Sequence, residues 1–86
     1  MDDPNAIERA TQVKERHEQE IMKKKYVVGM GVGFKAQGKV HSQQLSLVVY
    51  VSQKLPETAL APQDRIPPSI EGIPTDVVEV GKIKAL

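Results

Sequence analysis

His17 and His41 are the chain's only imidazoles, and Ser42, Ser46, Ser52 and Ser69 its only serine hydroxyls. A hydrolase of the Ser-His-Asp type needs one of each, with a carboxylate, converging in a cleft beside an oxyanion hole. His41 and Ser42 are neighbours, and neighbours on an extended chain point to opposite sides, so they read as two polar residues of a turn. His17 falls on the apolar stripe of a helix and reads as an edge-of-core residue. Two distant histidines with no cysteine make a poor metal site. A second chemistry, phosphate binding, is raised by "YVVGMGVGFKAQGK" (26–39), with glycines at 29, 31 and 33. A dinucleotide fingerprint begun at Gly29 and Gly31 needs a third glycine where Phe34 stands and a helix directly after it, and a P-loop needs Gly-Lys followed by Ser or Thr. Val40 follows Lys39. The expectation is a chain with no catalytic, cofactor-binding or metal-binding residues.

Composition narrows the remaining classes. Eighty-six residues make one small domain with a modest core, and the absence of cysteine leaves packing to hold it together. No window approaches the roughly 18 apolar residues of a membrane span, and "MDDPNAIERA" is acidic and polar with no apolar run behind it. The chain reads as soluble, without an export signal or membrane partner, and with the cytoplasm as the favoured compartment. Net charge is +1, but no acid lies between Glu20 and Glu57, where Lys23, Lys24, Lys25, Lys35, Lys39 and Lys54 fall together with His41. An anion-binding face would use such a stretch. The plainer reading is that lysines guard strands against aggregation, answered in space by Glu57, Asp64, Asp76 and Glu79. One Phe, two Tyr and no Trp give bases almost nothing to stack on, which disfavours nucleic acid as a partner.

The positioning elements follow from periodicity. Ile7, Ala10, Val13, His17 and Ile21 recur every three or four residues, which predicts an amphipathic helix over about 5–24. Asn5 and Glu8 have capping-box spacing, and Arg16 with Glu20 and Glu20 with Lys24 have helical pair spacing. From about 26 to 36 the period becomes two. Val28, Met30, Val32 and Phe34 form a bulky face, while Val27, Gly29, Gly31 and Gly33 form a bare one. Glycine at alternate strand positions costs conformational entropy, accepted where another element approaches closely, and the helix is the expected occupant of the bare face, with a ligand or partner strand as the rival. A polar turn centred on Gly38 leads to a second strand, about 45–53, pairing as a hairpin. Five of the six prolines then stiffen an extended loop, with one helical turn opened by Pro56, tacking residues Ile66, Ile70 and Ile73, and a turn at Glu71-Gly72. A third strand spans about 75–80. The expected fold class is α+β: the amphipathic helix packed on a small three-stranded sheet, with the proline-rich loop before the last strand.

The segments "VVGMGVGFK", "LVVYVSQKLP" and "DRIPPSIEGIPTDVVEVG" together resemble the N-terminal module of certain bacterial proteins that carry a trypsin-like serine peptidase domain. The likeness runs from about Ala6 to Leu86, and the proline-rich part is its most specific portion. It implies a non-catalytic module, because the catalytic His, Asp and Ser of that family lie in the domain that follows, none of which is in these residues. The expected function is docking to such a peptidase domain as pro-segment, folding aid or inhibitor, by a monomer or small homo-oligomer. The residues expected to meet the partner are Gly29, Gly31, Gly33 and Lys35 on the glycine strand and Val80, Lys82 and Ile83 in the tail. The alternatives are a self-assembling or adaptor domain that adds strands at an open sheet edge, and an anion or nucleic-acid binder using the lysines.

Overall fold

In a computed structural model, the structure describes the backbone of residues 5–37 and 40–81, with side chains described outside 35–43. Helix α1 (Ala6–Met22) is followed by strands β1 (Val27–Gln37) and β2 (Val40–Val51), two 3-10 turns (Glu57–Ala59 and Pro62–Asp64), and strands β3 (Ser69–Ile70) and β4 (Ile73–Glu79). The fold is α+β, one helix on a mixed sheet of order β1-β2-β4-β3. β1 and β2 form the antiparallel hairpin, β2 and β4 run parallel, and β3 pairs antiparallel with β4.

The sheet thus has four strands rather than three. The extra one is short: Ser69 and Ile70 lie opposite Pro74 and Ile73 across a turn in which Glu71 (φ 50°) and Gly72 (φ 81°) are both left-handed, the backbone of a tight hairpin turn. β4 therefore begins at Ile73, with Pro74 inside it: Thr75 N donates to Pro68 O at 3.0 Å, so the missing N–H of Pro74 is on the side away from β3, just ahead of Thr75, the first β4 residue paired with β2. β2 begins at Val40, so His41 and Ser42 stand in a strand and not in the turn. Val80 lies just beyond β4.

The stripe on α1 reaches the core as its spacing demands. Ala10, Val13 and Ile21 are buried against Leu47, Val49 and Val51 of β2 and Ile70 of β3. Ile7, at the helix start, remains 56% exposed. Asn5 occupies the N-cap without a side-chain capping bond, so the capping box does not form. Lys14 and Glu18 pair along the helix. Arg16 turns away from Glu20 to the carboxylate of Glu71, and the Lys24 ammonium donates to the Gln63 carbonyl at 2.7 Å.

The helix covers the face of β1 that carries Met30 and Val32, so the expectation that it packs on the glycines is wrong. A β-bulge shifts the register between Val27 and Gly29, pairing Val27 with Val51 and Gly29 with Tyr50. Val27 thereby joins the core face and Val28, placed with Met30 by simple alternation, is left 42% exposed. One inserted residue exchanges the faces of everything before it.

A polar clasp ties the β3–β4 turn to the helix. Arg16 donates to both Glu71 oxygens, Nη2 to Oε1 at 2.8 Å and Nε to Oε2 at 3.1 Å, and His17 Nε2 donates to Oε2 at 2.8 Å. These bonds, Arg16's first and His17's second, hold the Glu71 carboxyl down to about 2 from an ordinary 4.5. A carboxylate whose folded pKa is depressed contributes stability above its unfolded pKa and loses that contribution as pH falls through its folded one. Glu71→Gln is therefore expected to melt below wild type at neutral pH, by a small margin because the clasp is open to water. The margin should close as pH falls from about 4.5 to 2. Thermal melts of both proteins across that range check this, and a margin constant with pH would contradict it.

Candidate functional site

The glycine face lies opposite the helix. By register, Gly29 stands across from Tyr50, Gly31 from Val48 and Gly33 from Ser46, while Val48 and Tyr50 are flanked on the other side by Asp76 and Val78 of β4. The occupant of the bare strand is the aromatic ring of its neighbour. A Cβ on Gly29 would stand 3.6 Å from Tyr50 Cδ2, and one on Gly31 3.5 Å from Cε2 and 3.7 Å from the hydroxyl oxygen. Tyr50 therefore leans across the hairpin and covers two glycines, a known way to recover packing lost where a strand has no side chains. A Cβ on Gly33 would come within 3.1 Å of Val48 Cγ2.

Those distances rank two substitutions. Gly31→Ala meets Tyr50 at ordinary contact distance and loses less backbone entropy on folding, so it should be neutral or stabilising by up to about 1 kcal/mol. Gly33→Ala crowds the buried, stiff-rotamer Val48 and should be destabilising. Chemical denaturation of the two variants reads the order, and the reverse order would show that Tyr50 rather than Val48 is the immovable neighbour.

The edge of β1 is the second feature. Ser52 N donates to Tyr26 O at 2.8 Å and Val80 N donates to Val51 O at 2.8 Å. Even-numbered residues of β2 thus direct their backbone groups toward β1 and odd-numbered ones toward β4, since both groups of a strand residue point the same way and alternate along the chain. Gly29, Gly31 and Gly33, opposite even residues, bond to β2. Met30, Val32 and Phe34 consequently aim their N–H and C=O groups out of the sheet. Because β1 is terminal in the strand order, that row faces an edge to which, among the described residues, no other backbone bonds. Phe34, 56% exposed, stands on it.

The structure therefore brings some of the expected partner-binding residues together. Gly29, Gly31 and Gly33 share the outer face, and Val80, two residues past Val78, follows the same alternation and is 42% exposed. Lys35 lies on β1 opposite Gln44. Lys82 and Ile83 lie outside the described residues. Tyr50, 36% exposed, and Val78, its neighbour on β4, belong to this face and were not expected there, while Val28 is the unpaired residue of the bulge. Tyr50 was legible in principle, since hairpin pairing puts an aromatic opposite a glycine once the register is known, but the register depends on the bulge.

Two of the four acids expected to answer the lysines, Asp64 and Glu79, accept from backbone N–H groups instead. Asp64 Oδ1 accepts from Lys25 N at 3.0 Å and Glu79 Oε1 from Lys54 N at 2.7 Å. Ser46 is buried and donates to the Gly33 carbonyl at 3.3 Å, and the Ser52 hydroxyl donates to Tyr26 O at 3.5 Å. His17 is engaged by Glu71. Among the described residues no group of three or more His, Asp or Glu could hold a metal ion, and no helix is long and apolar enough to cross a membrane. In comparisons with known proteins, no family model and no curated protein sequence matches the chain.

Proposed function

We propose that the chain is a non-catalytic protein-interaction module that receives a partner at the open edge of β1 and across the adjoining glycine and Tyr50 face. The observation that carries this reading is the outward row of backbone groups at Met30, Val32 and Phe34, a template onto which an extended segment adds by main-chain hydrogen bonds. The Tyr50 ring laid over Gly29 and Gly31 beside that row gives the adjoining face an aromatic surface for a partner to cover. The resemblance of the glycine strand and proline-rich segment to modules that precede trypsin-like peptidase domains makes such a domain the partner of choice.

The experiment is a calorimetric titration of the chain against a trypsin-like peptidase domain from the same organism, with the chain shortened after Gly81 as a second ligand. Binding by the full chain is the expected result, and weaker binding by the shortened one would assign part of the interface to the tail. No binding by either, together with tight and salt-sensitive binding to DNA or RNA, would replace this reading with the anion-binding one.

A further inference from the structure

At the end of the sheet where β1 begins, a cavity of about 160 Å3 opens beneath the proline-rich segment. Tyr26, Val51, Leu55, Leu60, Ile66 and Val77 make up most of its lining, which exposes mainly apolar surface. Binding sites for drug-sized molecules usually enclose roughly 300–1,000 Å3, whereas an apolar cavity of about 150 Å3 takes a single benzene ring. The size is that of one side chain.

The second observation is strain. Tyr26 has a φ of 73°, a left-handed conformation that a bulky residue adopts only when its surroundings impose it, and such residues cluster at binding sites. Three bonds impose it here. Lys25 N donates to Asp64 Oδ1 at 3.0 Å, Val27 N to Lys24 O at 3.3 Å, and Ser52 N to Tyr26 O at 2.8 Å. The Lys25 ammonium sits 5.3 Å from the centre of the ring. The chain thus spends backbone strain to stand an aromatic ring in the wall of this cavity, in the turn that joins α1 to β1.

The geometry points to this cavity as an anchor pocket for one uncharged apolar side chain, phenylalanine- or leucine-sized, presented by a protein partner. Charges at its mouth decide the chemistry. Lys25 and Lys54 are matched there by Glu57 and Asp64, so the rim carries no excess of either sign to select a charged group. It offers exposed donors and acceptors to the peptide backbone on either side of an inserted side chain. A single buried apolar anchor ringed by polar contacts is the common arrangement of an interface hot spot. The inference rests on the reading of the chain as an interaction module, but it concerns a site separate from the β1 edge.

The test uses the full chain, methyl-labelled for NMR, titrated with N-acetyl-phenylalanine amide, N-acetyl-leucine amide and N-acetyl-glycine amide. Saturable shifts at the Val51, Leu60, Ile66 and Val77 methyls are expected with the first two at millimolar concentration, and none with the glycine compound. Tyr26→Gly accepts the left-handed backbone without strain, so it should keep the fold while weakening binding at least five-fold. Leu60→Trp, which fills the cavity from the loop side, should do the same by a different route. Absence of saturable shifts, or shifts that survive both substitutions, overturns the pocket. Benzene shifting these methyls when neither capped residue does would make it a small-molecule cavity and overturn the side-chain assignment. None of these outcomes involves a peptidase domain, so the pocket can fail while docking at β1 stands, and the reverse.

Discussion

Gly31→Pro is expected to break the β1–β2 ladder, while Phe34→Pro, three residues along the same strand, is expected to leave the fold in place and abolish partner binding. The difference follows from backbone direction. Gly31 lies opposite Val48 and bonds to it, so a proline there removes a donor and leaves a nearly buried carbonyl unpaired. An unsatisfied buried acceptor costs about 1–3 kcal/mol, and the fixed φ of proline adds strain. A combined loss of about 2–4 kcal/mol would lower Tm by roughly 10–20 °C in a domain of this size. Phe34 directs its N–H out of the sheet and exposes 56% of its surface, so proline costs little packing there. The preceding residue is Gly33, which lacks the Cβ that would crowd the proline ring. Thermal melts and partner titrations of the two variants supply the measurement. Equal melting of both would show the backbone directions to be wrong, and wild-type partner affinity in Phe34→Pro would remove the β1 edge from the interface.

Leu47→Ala should be among the most destabilising truncations in the chain. Leu47 has no accessible surface, lies beside Thr75 in the parallel pairing and belongs to the cluster formed with Ala10, Val13 and Val49. Leu→Ala at such sites costs about 2–5 kcal/mol, the sum of lost burial and the cavity left behind. Domains of this length have net stabilities of only about 4–13 kcal/mol, so the variant gives up a large fraction of the total. Leu60→Ala, half-exposed on the proline-rich segment, should cost well under half as much. Urea denaturation of the pair reads both values, and a Leu47→Ala loss below about 1 kcal/mol would mean the core rearranges to fill the gap.

The local elements were legible because each rests on neighbours in the chain. Ala10, Val13 and Ile21 can share a face only on a helix, Leu45, Leu47, Val49 and Val51 only on a strand, and Pro62, Pro67 and Pro68 forbid a helix through the segment that joins β2 to β3. Ile66, Ile70 and Ile73 were readable as tacks because isolated aliphatics in a proline-rich stretch have nowhere else to be buried, and they pack against the core. The turn at Glu71-Gly72 follows from glycine's tolerance of positive φ.

The sequence alone therefore determined the class, one helix with a β hairpin and a later strand, together with most of the core. The tertiary structure decided the rest. Which face of β1 the helix takes turns on the bulge at Val27 and Val28, since a slip of one residue reverses every side chain and both registers satisfy the local pattern. The parallel pairing of β2 with β4 joins segments connected by a long proline-rich loop, and the clasp of Arg16 on Glu71 joins residues 55 apart. No local periodicity encodes contacts at that separation, because they form only when the whole sheet closes and the partners are brought within reach. The site depends on the same closure. The glycines at 29 and 31 are visible in any reading, but the Tyr50 ring above them and the outward row at Met30, Val32 and Phe34 exist only once β2 has chosen which neighbour each of its residues faces.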